Sequence, residues 1–188
     1  MLHLTIGPMF ADKTTGLIEQ ARAIVREHGP NSVVVVVPSS DHRSGGTLRS
    51  HSGLSCPAFS VESAAQFQEL VYPRPGLKAI LADEVQLYGA WIVRELSLLG
   101  RRRLQVYAAG LLHDYLGAPF ENVTQLIPLA TTLSHKTAQC AVCGGRAAWT
   151  HRTTQTQGRV LVGGAECYEP RCREHWEQVV EKPWVPWE

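Results

Sequence analysis

The stretch Leu2-His3-Leu4-Thr5-Ile6, followed by Gly7-Pro8-Met9-Phe10-Ala11-Asp12-Lys13-Thr14-Thr15, limits the fold of this chain more than any other. A short apolar run ends at a glycine, and a tight turn then leads to a lysine and two threonines. Leu17, Ile18, Ala21, Ile24 and Val25 recur at helical spacing until His28-Gly29-Pro30 stops the run. Strand, loop and helix in that order aim loop amides and a helix N-terminus at one point, where an anion binds, with a lysine adding charge toward outer phosphates. The phosphate-loop pattern G-x-x-x-x-G-K-[ST] is met at Gly7, Lys13 and Thr14 and broken at its second glycine by Asp12. A side chain there crowds a backbone that must approach phosphate and favours left-handed φ less than glycine does. Its carboxylate also repels: about 4 kcal/mol per phosphate charge at about 4 Å and an effective dielectric of about 20, before screening. Taken alone, the stretch also reads as a strand–turn–helix without a ligand.

A chain of 188 residues suits one domain, or a core with a small appendage, and can bury a real core. Hydrophobic residues at 44%, charged residues at 19% and a formal charge of +1 give no case for a nucleic-acid or membrane partner. Arg101-Arg102-Arg103 reads as a solvated helix end. No apolar run has transmembrane length and the opening does not resemble a signal peptide, so a cytoplasmic location is expected. The five cysteines are odd in number and not spaced as a disulfide framework. Cys140-x-x-Cys143 and Cys172-x-x-His175 instead form two knuckle-like pairs, the first followed by Gly144-Gly145. Such turns present two ligands at a time to tetrahedral zinc; reduced, unliganded thiols are the other reading. Cys56 and Cys167 read as ordinary thiols, with Cys167 near enough in sequence to substitute as a ligand.

Ser32 to Val37 is almost all valine and reads as a central strand of a parallel sheet, buried on both faces. The loop Ser39 to Gly46 carries Asp41 and Arg43, which read as solvated charges unless a site claims them. Ala58 to Val61 reads as a brief strand, and Ser60 or Ser63 as the cap of a helix from about Val61 to Val71. Leu77 to Ala82 runs apolar into Asp83-Glu84, at the same sheet edge as the phosphate loop. Two acids there can hold magnesium and polarise a nucleophile, or simply cap a helix. A helix over 86–100 and a strand from Leu104 to Ala109 follow. The alternation to about residue 130 predicts a mostly parallel α/β core over 1–135. After it comes a small zinc-stapled lobe over 136–188, with strands at Ala147–His151 and Arg159–Val162, a closing helix at Cys172–Val180, and a packed or extended tail from Lys182 to Glu188.

In this order the stretches resemble the type II thymidine kinases, the zinc-containing family with a RecA-like P-loop core. The match runs through Gly7-Pro8-Met9-Phe10 with Lys13-Thr14, Asp41-x-Arg43, Ser50-His51 and Asp83-Glu84-x-Gln86. It continues in Gly110-Leu111-x-x-Asp114-Tyr115 with Pro119-Phe120, Cys140-x-x-Cys143-Gly144, and Gly163-Gly164-x-Glu166-x-Tyr168 before Cys172-Arg173.

The resemblance implies phosphoryl transfer from ATP to the 5′-hydroxyl of thymidine or a related pyrimidine deoxynucleoside, with magnesium, in a homo-oligomer (dimer or tetramer). Gly7, Pro8, Met9, Phe10, Ala11, Asp12 and Lys13 would hold donor phosphates, Thr14 would reach magnesium, and Asp83 and Gln86 would support the cofactor site. Glu84 would be the general base, and Arg43 would stabilise charge beside Asp41 at the transferring phosphate. Met9, Leu111, Tyr115, Phe120 and Tyr168 would line the base pocket, under a lasso whose Leu161, Val162, Gly163 and Gly164 present backbone to the pyrimidine. Structural zinc would sit on Cys140, Cys143, Cys172 and His175. The chain departs from the family at Asp12, at Leu112 where an aspartate is usual, at Leu116 where an arginine is usual, and more mildly at Tyr88. These changes admit an alternative, a catalytically impaired kinase-like protein that binds nucleotide or nucleoside.

Overall fold

The computed structural model describes residues 1–41, 45–155 and 158–180. Its first strand, β1 (Leu2–Ile6), runs into the glycine-led loop and then α1 (Lys13–His28), the layout the sequence predicts. Next come β2 (Val33–Pro38), a short hairpin of β3 (Thr47–Arg49) and β4 (Ser55–Pro57), and β5 (Phe59–Val61). They are followed by α2 (Ala64–Val71), β6 (Ala79–Ala82), α3 (Trp91–Arg101), β7 (Gln105–Gly110), α4 (Glu121–Leu126) and β8 (Thr132–His135). Six of these strands form one sheet in the order β5-β2-β6-β7-β1-β8, and every neighbouring pair is parallel. The strands therefore all end on one edge, where the loops after β1, β2, β6 and β7 meet.

The valine run is buried along its whole length because β2 has a core on each face. Val34 and Val36 pack with Leu4, Ile80, Val106, Ile92 and Leu96 on the α3 side. Val33, Val35 and Val37 pack with Leu17, Ile18, Ala21 and Leu81 on the α1 side. Alternate residues of a strand point to opposite faces, so a run apolar at every position suits a sheet covered on both sides.

Several boundaries differ from the sequence reading, the expected strand Ala147–His151 among them. The helix before β6 begins only at Ala64, where Ser63 Oγ accepts from the Gln66 amide at 3.3 Å. The helix expected over 86–100 splits into a single turn at Val85–Leu87 and α3. Glu84 enters left-handed backbone, Tyr88 is extended, and Asn122 Nδ2 donates to the carbonyls of Val85 (3.1 Å) and Tyr88 (2.8 Å), ending the turn. Beyond β8, Ala138–Gln139 (β9) pairs with Arg146–Ala147 (β10), and Trp149–Arg152 (β11) with Tyr168–Arg171 (β12), each antiparallel. The closing helix, α5, is shorter than expected at Arg173–Glu177, residues 159–162 join no sheet, and the tail from Lys182 lies outside the described residues.

Candidate functional site

The loop after β1 and the two acids after β6 meet at the strand ends. Thr14 Oγ1 donates to Asp83 Oδ2 at 2.7 Å, and the Glu84 amide donates to Asp83 Oδ1 at 3.0 Å. Asp83 is almost wholly buried. Burial, then the neighbouring Glu84 charge, pushes its carboxyl up to about 7, against the pull of Thr14 and Lys13. Lys13 is buried as well and donates from Nζ to the Pro8 carbonyl at 2.6 Å. Desolvation lowers its pKa, while Glu84 and Asp83 act to keep it charged. A hydroxyl and a carboxylate side by side at a phosphate loop are hard oxygen donors of the kind magnesium takes.

Among the described residues, the non-glycine residues with positive φ are Phe10 (64°), Asp12 (54°) and Glu84 (50°), all three at this site. Asp12 thus occupies the left-handed conformation that the missing glycine would adopt without strain. Such strain persists where surrounding structure enforces it, which is common at functional sites.

Two cavities adjoin. The first, about 440 Å³, is the loop's own cradle, lined by Met9 through Thr15, Ser50, His51, Glu84 and Leu111. The second, about 530 Å³, lies between the strand ends and the 158–168 segment. Expected base-pocket residues that line it are Met9, Leu111, Tyr115, Leu161, Val162, Gly163 and Tyr168. Met9, Glu84 and Leu111 border both cavities, and of these Glu84 alone is ionisable. Gln86 steadies it: Nε2 donates to Glu84 Oε2 while Oε1 accepts from the Leu111 amide at 3.0 Å.

Five expected residues, Asp83 among them, line neither of these two cavities. Gly7 and Pro8 form the loop's base, with Gly7 packed on the Lys136 carbonyl. Phe120 is buried in the core beneath the Arg159 guanidinium, and Gly164 forms the turn that accepts from the Cys167 and Tyr168 amides. Arg43 lies outside the described residues. Asp41 borders a neighbouring cavity of about 660 Å³ with Thr14, Asp83 and Glu84.

The sequence reading missed Arg152 and Arg159, which hold the 158–168 segment. Arg159 Nε donates to Asp114 Oδ2 at 2.8 Å and its Nη2 to the Pro119 carbonyl at 2.6 Å. Asp114 Oδ1 in turn accepts from the Leu116 and Ala118 amides, so one carboxylate ties the turn after β7 to the segment. Buried Arg152 donates to the carbonyls of Gly158 and Arg159 and to the Tyr168 hydroxyl. That hydroxyl also accepts from the Leu161 amide and donates to the Leu161 carbonyl. Thr150 Oγ1 accepts from the Met9 amide at 3.1 Å, joining the far hairpin to the phosphate loop. Asp114 and Tyr168 stand in recognisable motifs, but no local motif signals Thr150, Arg152 or Arg159.

Cys140, Cys143, Cys172 and His175 converge, with their ligand atoms all within 4.8 Å of one another. Cys143 and Cys172 sulfurs are 4.0 Å apart, and Cys140 Sγ is 3.8 Å from His175 Nδ1. Zinc–sulfur bonds of about 2.3 Å at tetrahedral angles need sulfurs about this far apart, so the set is compatible with structural zinc. No described helix is long and apolar enough to cross a membrane.

The family model described as thymidine kinase matches residues 1–176. Relatives named thymidine kinase include one from Bdellovibrio bacteriovorus, 33% identical over 99% of this chain and 90% of its own length. Another, from Thermococcus kodakarensis, is 33% identical over 93% of this chain and 92% of its own. A third, from Pyrobaculum aerophilum, is 33% identical over 94% and 98% respectively. With a glycine-led loop and an acid pair at the ends of a parallel sheet, a Cys₃His cluster beyond it, and similarity of this extent, the chain belongs to the thymidine kinase family.

Proposed function

We propose that this protein transfers the γ-phosphoryl group of ATP to the 5′-hydroxyl of thymidine, with Glu84 as general base. The position of Glu84 carries the reading, since it is the ionisable side chain common to the phosphate cradle and the cavity under the 158–168 segment. Donor phosphates lie in the cradle of residues 7–14, and the nucleoside lies in the larger cavity among Met9, Leu111, Tyr115 and Tyr168. Glu84 takes the proton of the 5′-hydroxyl as its oxygen bonds to the γ-phosphorus, and the bond to the ADP oxygen breaks in line. Thr14 and Asp83 are the residues suited to holding magnesium, which when bound offsets phosphate charge. Lys13 adds fixed positive charge, and Gln86 aims the Glu84 carboxylate. Zinc on the Cys₃His cluster has a structural part.

The test is transfer of labelled γ-phosphate from ATP to thymidine by the wild type and by Glu84→Gln. Loss of a positioned general base costs about 10²- to 10⁴-fold in rate, and both substrates should still bind. Undiminished transfer in the variant would remove Glu84 from the role. Binding of thymidine and ATP without transfer by the wild type would make this an impaired relative, as Asp12 allows.

A further inference from the structure

Lys136 follows β8 at the point where the chain leaves the sheet for the β9–β10 hairpin. Its amide donates to the Ile6 carbonyl at 2.8 Å, extending the pairing of β8 with β1 by one residue. Its own carbonyl lies so close to Gly7 that a β-carbon at that glycine would stand 2.5 Å from the oxygen. The Lys136 backbone is therefore fixed against the base of the phosphate loop. From there its Nζ reaches the far end of the loop and donates to the Asp12 carbonyl at 3.0 Å. The same Nζ would lie 3.3 Å from a β-carbon on Gly16, so it sits beside the first turn of α1. Its charge is felt by the Lys13 ammonium, whose pKa it helps to lower.

We propose that Lys136 is a positioning residue for the donor phosphates, holding the Asp12 carbonyl away from the cradle and setting a second cation beside the loop. The claim rests on the reading of the loop as the donor-phosphate site. A loop that binds an anion must turn its amides inward and its carbonyls outward. At Asp12 the backbone is in the left-handed region without a glycine to make that costless. An ammonium bonded to the outward carbonyl stabilises that orientation of the Asp12–Lys13 peptide. The same ammonium opposes the Asp12 carboxylate, which would otherwise leave Lys13 as the nearest cation facing the polyphosphate. Lys136 also lies just ahead of the metal-binding hairpin, so the chain segment entering that hairpin is anchored to the phosphate loop.

The test measures equilibrium binding of magnesium-ATP, inorganic tripolyphosphate and thymidine to the wild type and to Lys136→Met, Lys136→Gln and Lys136→Arg. Losing a charge-assisted hydrogen bond weakens ATP and tripolyphosphate alike by about tenfold in the Met variant. Gln, which can still donate to the carbonyl, should recover part of the loss, and Arg most of it. Thymidine affinity should stay within about twofold of the wild type, less than the loss of a typical hydrogen bond. Unchanged polyphosphate affinity in the Met variant would overturn the proposal. So would equal losses for thymidine and ATP, which mark general damage, or a loss confined to ATP, which marks contact with its nucleoside part. A wild type that binds ATP as expected yet does not phosphorylate thymidine would sink the proposed reaction and leave the role of Lys136 standing. A wild type that binds neither ATP nor tripolyphosphate would sink both.

Discussion

Asp83 holds a carboxylate in an almost fully buried position, with Glu84 next to it and, among the described residues, the Thr14 hydroxyl and the Glu84 amide as direct hydrogen-bond partners. Its pKa rises from 3.8 to about 7 on folding, so the native state binds the proton more tightly than the unfolded chain does. The contribution of Asp83 to stability is therefore complete below its unfolded pKa near 4 and is lost as the pH rises through about 7. The ligand-free protein should lose thermal stability between those limits, and Asp83→Asn should flatten that slope whatever it does to the absolute Tm. A slope unchanged in the variant would assign the titration to another group. At this scale the sequence was legible where chemistry is local. The missing second glycine pointed to a backbone demand at residue 12, and the left-handed φ of 54° there is that demand. Of the two donors to the Asp12 carbonyl, the Gly16 amide is local, but the other was not legible, because Lys136 stands 124 residues away.

Among elements, the parallel sheet could be read from the chain because its central strands are short, mostly apolar runs, of which β1 and β7 lead to a glycine and β6 to an acid. The segment at residues 158–168 could not. Val160 and Val162 suggest a strand by alternation, yet both are exposed and the segment is held by side chains instead of a ladder. Arg159 brings a guanidinium to the turn after β7. The two donors from Arg159, one to the Asp114 carboxylate and one to the Pro119 carbonyl, use the planar fork that lysine lacks. Arg159→Ala should therefore raise the KM for thymidine about three- to tenfold, the modest size reflecting a side chain that is 45% exposed. The kcat and the KM for ATP should change little, and Arg159→Lys should rescue only in part. A fall in kcat with unchanged thymidine KM would show that the segment acts on chemistry instead of on nucleoside binding.

Across the whole molecule, a stack of rings runs from His113, which lines the cavity under the 158–168 segment, toward the Cys₃His cluster. Trp149 of β11 lies 5.0 Å from the His113 ring and 4.3 Å from Trp176, the residue after the cluster's His175. Trp176 Nε1 donates to the Tyr115 carbonyl at 3.1 Å. Gly117, at φ 86°, lets the turn approach so closely that a β-carbon would meet the Trp176 ring at 3.0 Å. His175 thus lies on α5, with Cys172 at its N-cap, and Trp176 of the same helix bonds the Tyr115 carbonyl, whereas the loop after β1 rests on β1, α1 and Lys136. Burial of so small a lobe supplies little stability, and in isolated zinc-finger peptides the metal contributes about 10–16 kcal/mol to folding. Removing zinc with a strong chelator should then loosen the ring stack first, weakening thymidine binding by about tenfold or more while ATP binding falls much less, as expected when the ligand that folds a small site is withdrawn. Circular dichroism should show loss of the exciton signal of the Trp149–Trp176 pair, and added zinc should restore both signal and affinity. Parallel loss of ATP and thymidine binding would mean that the metal holds up the whole fold. An intact signal with thymidine binding unchanged would mean that the cavity stands without it.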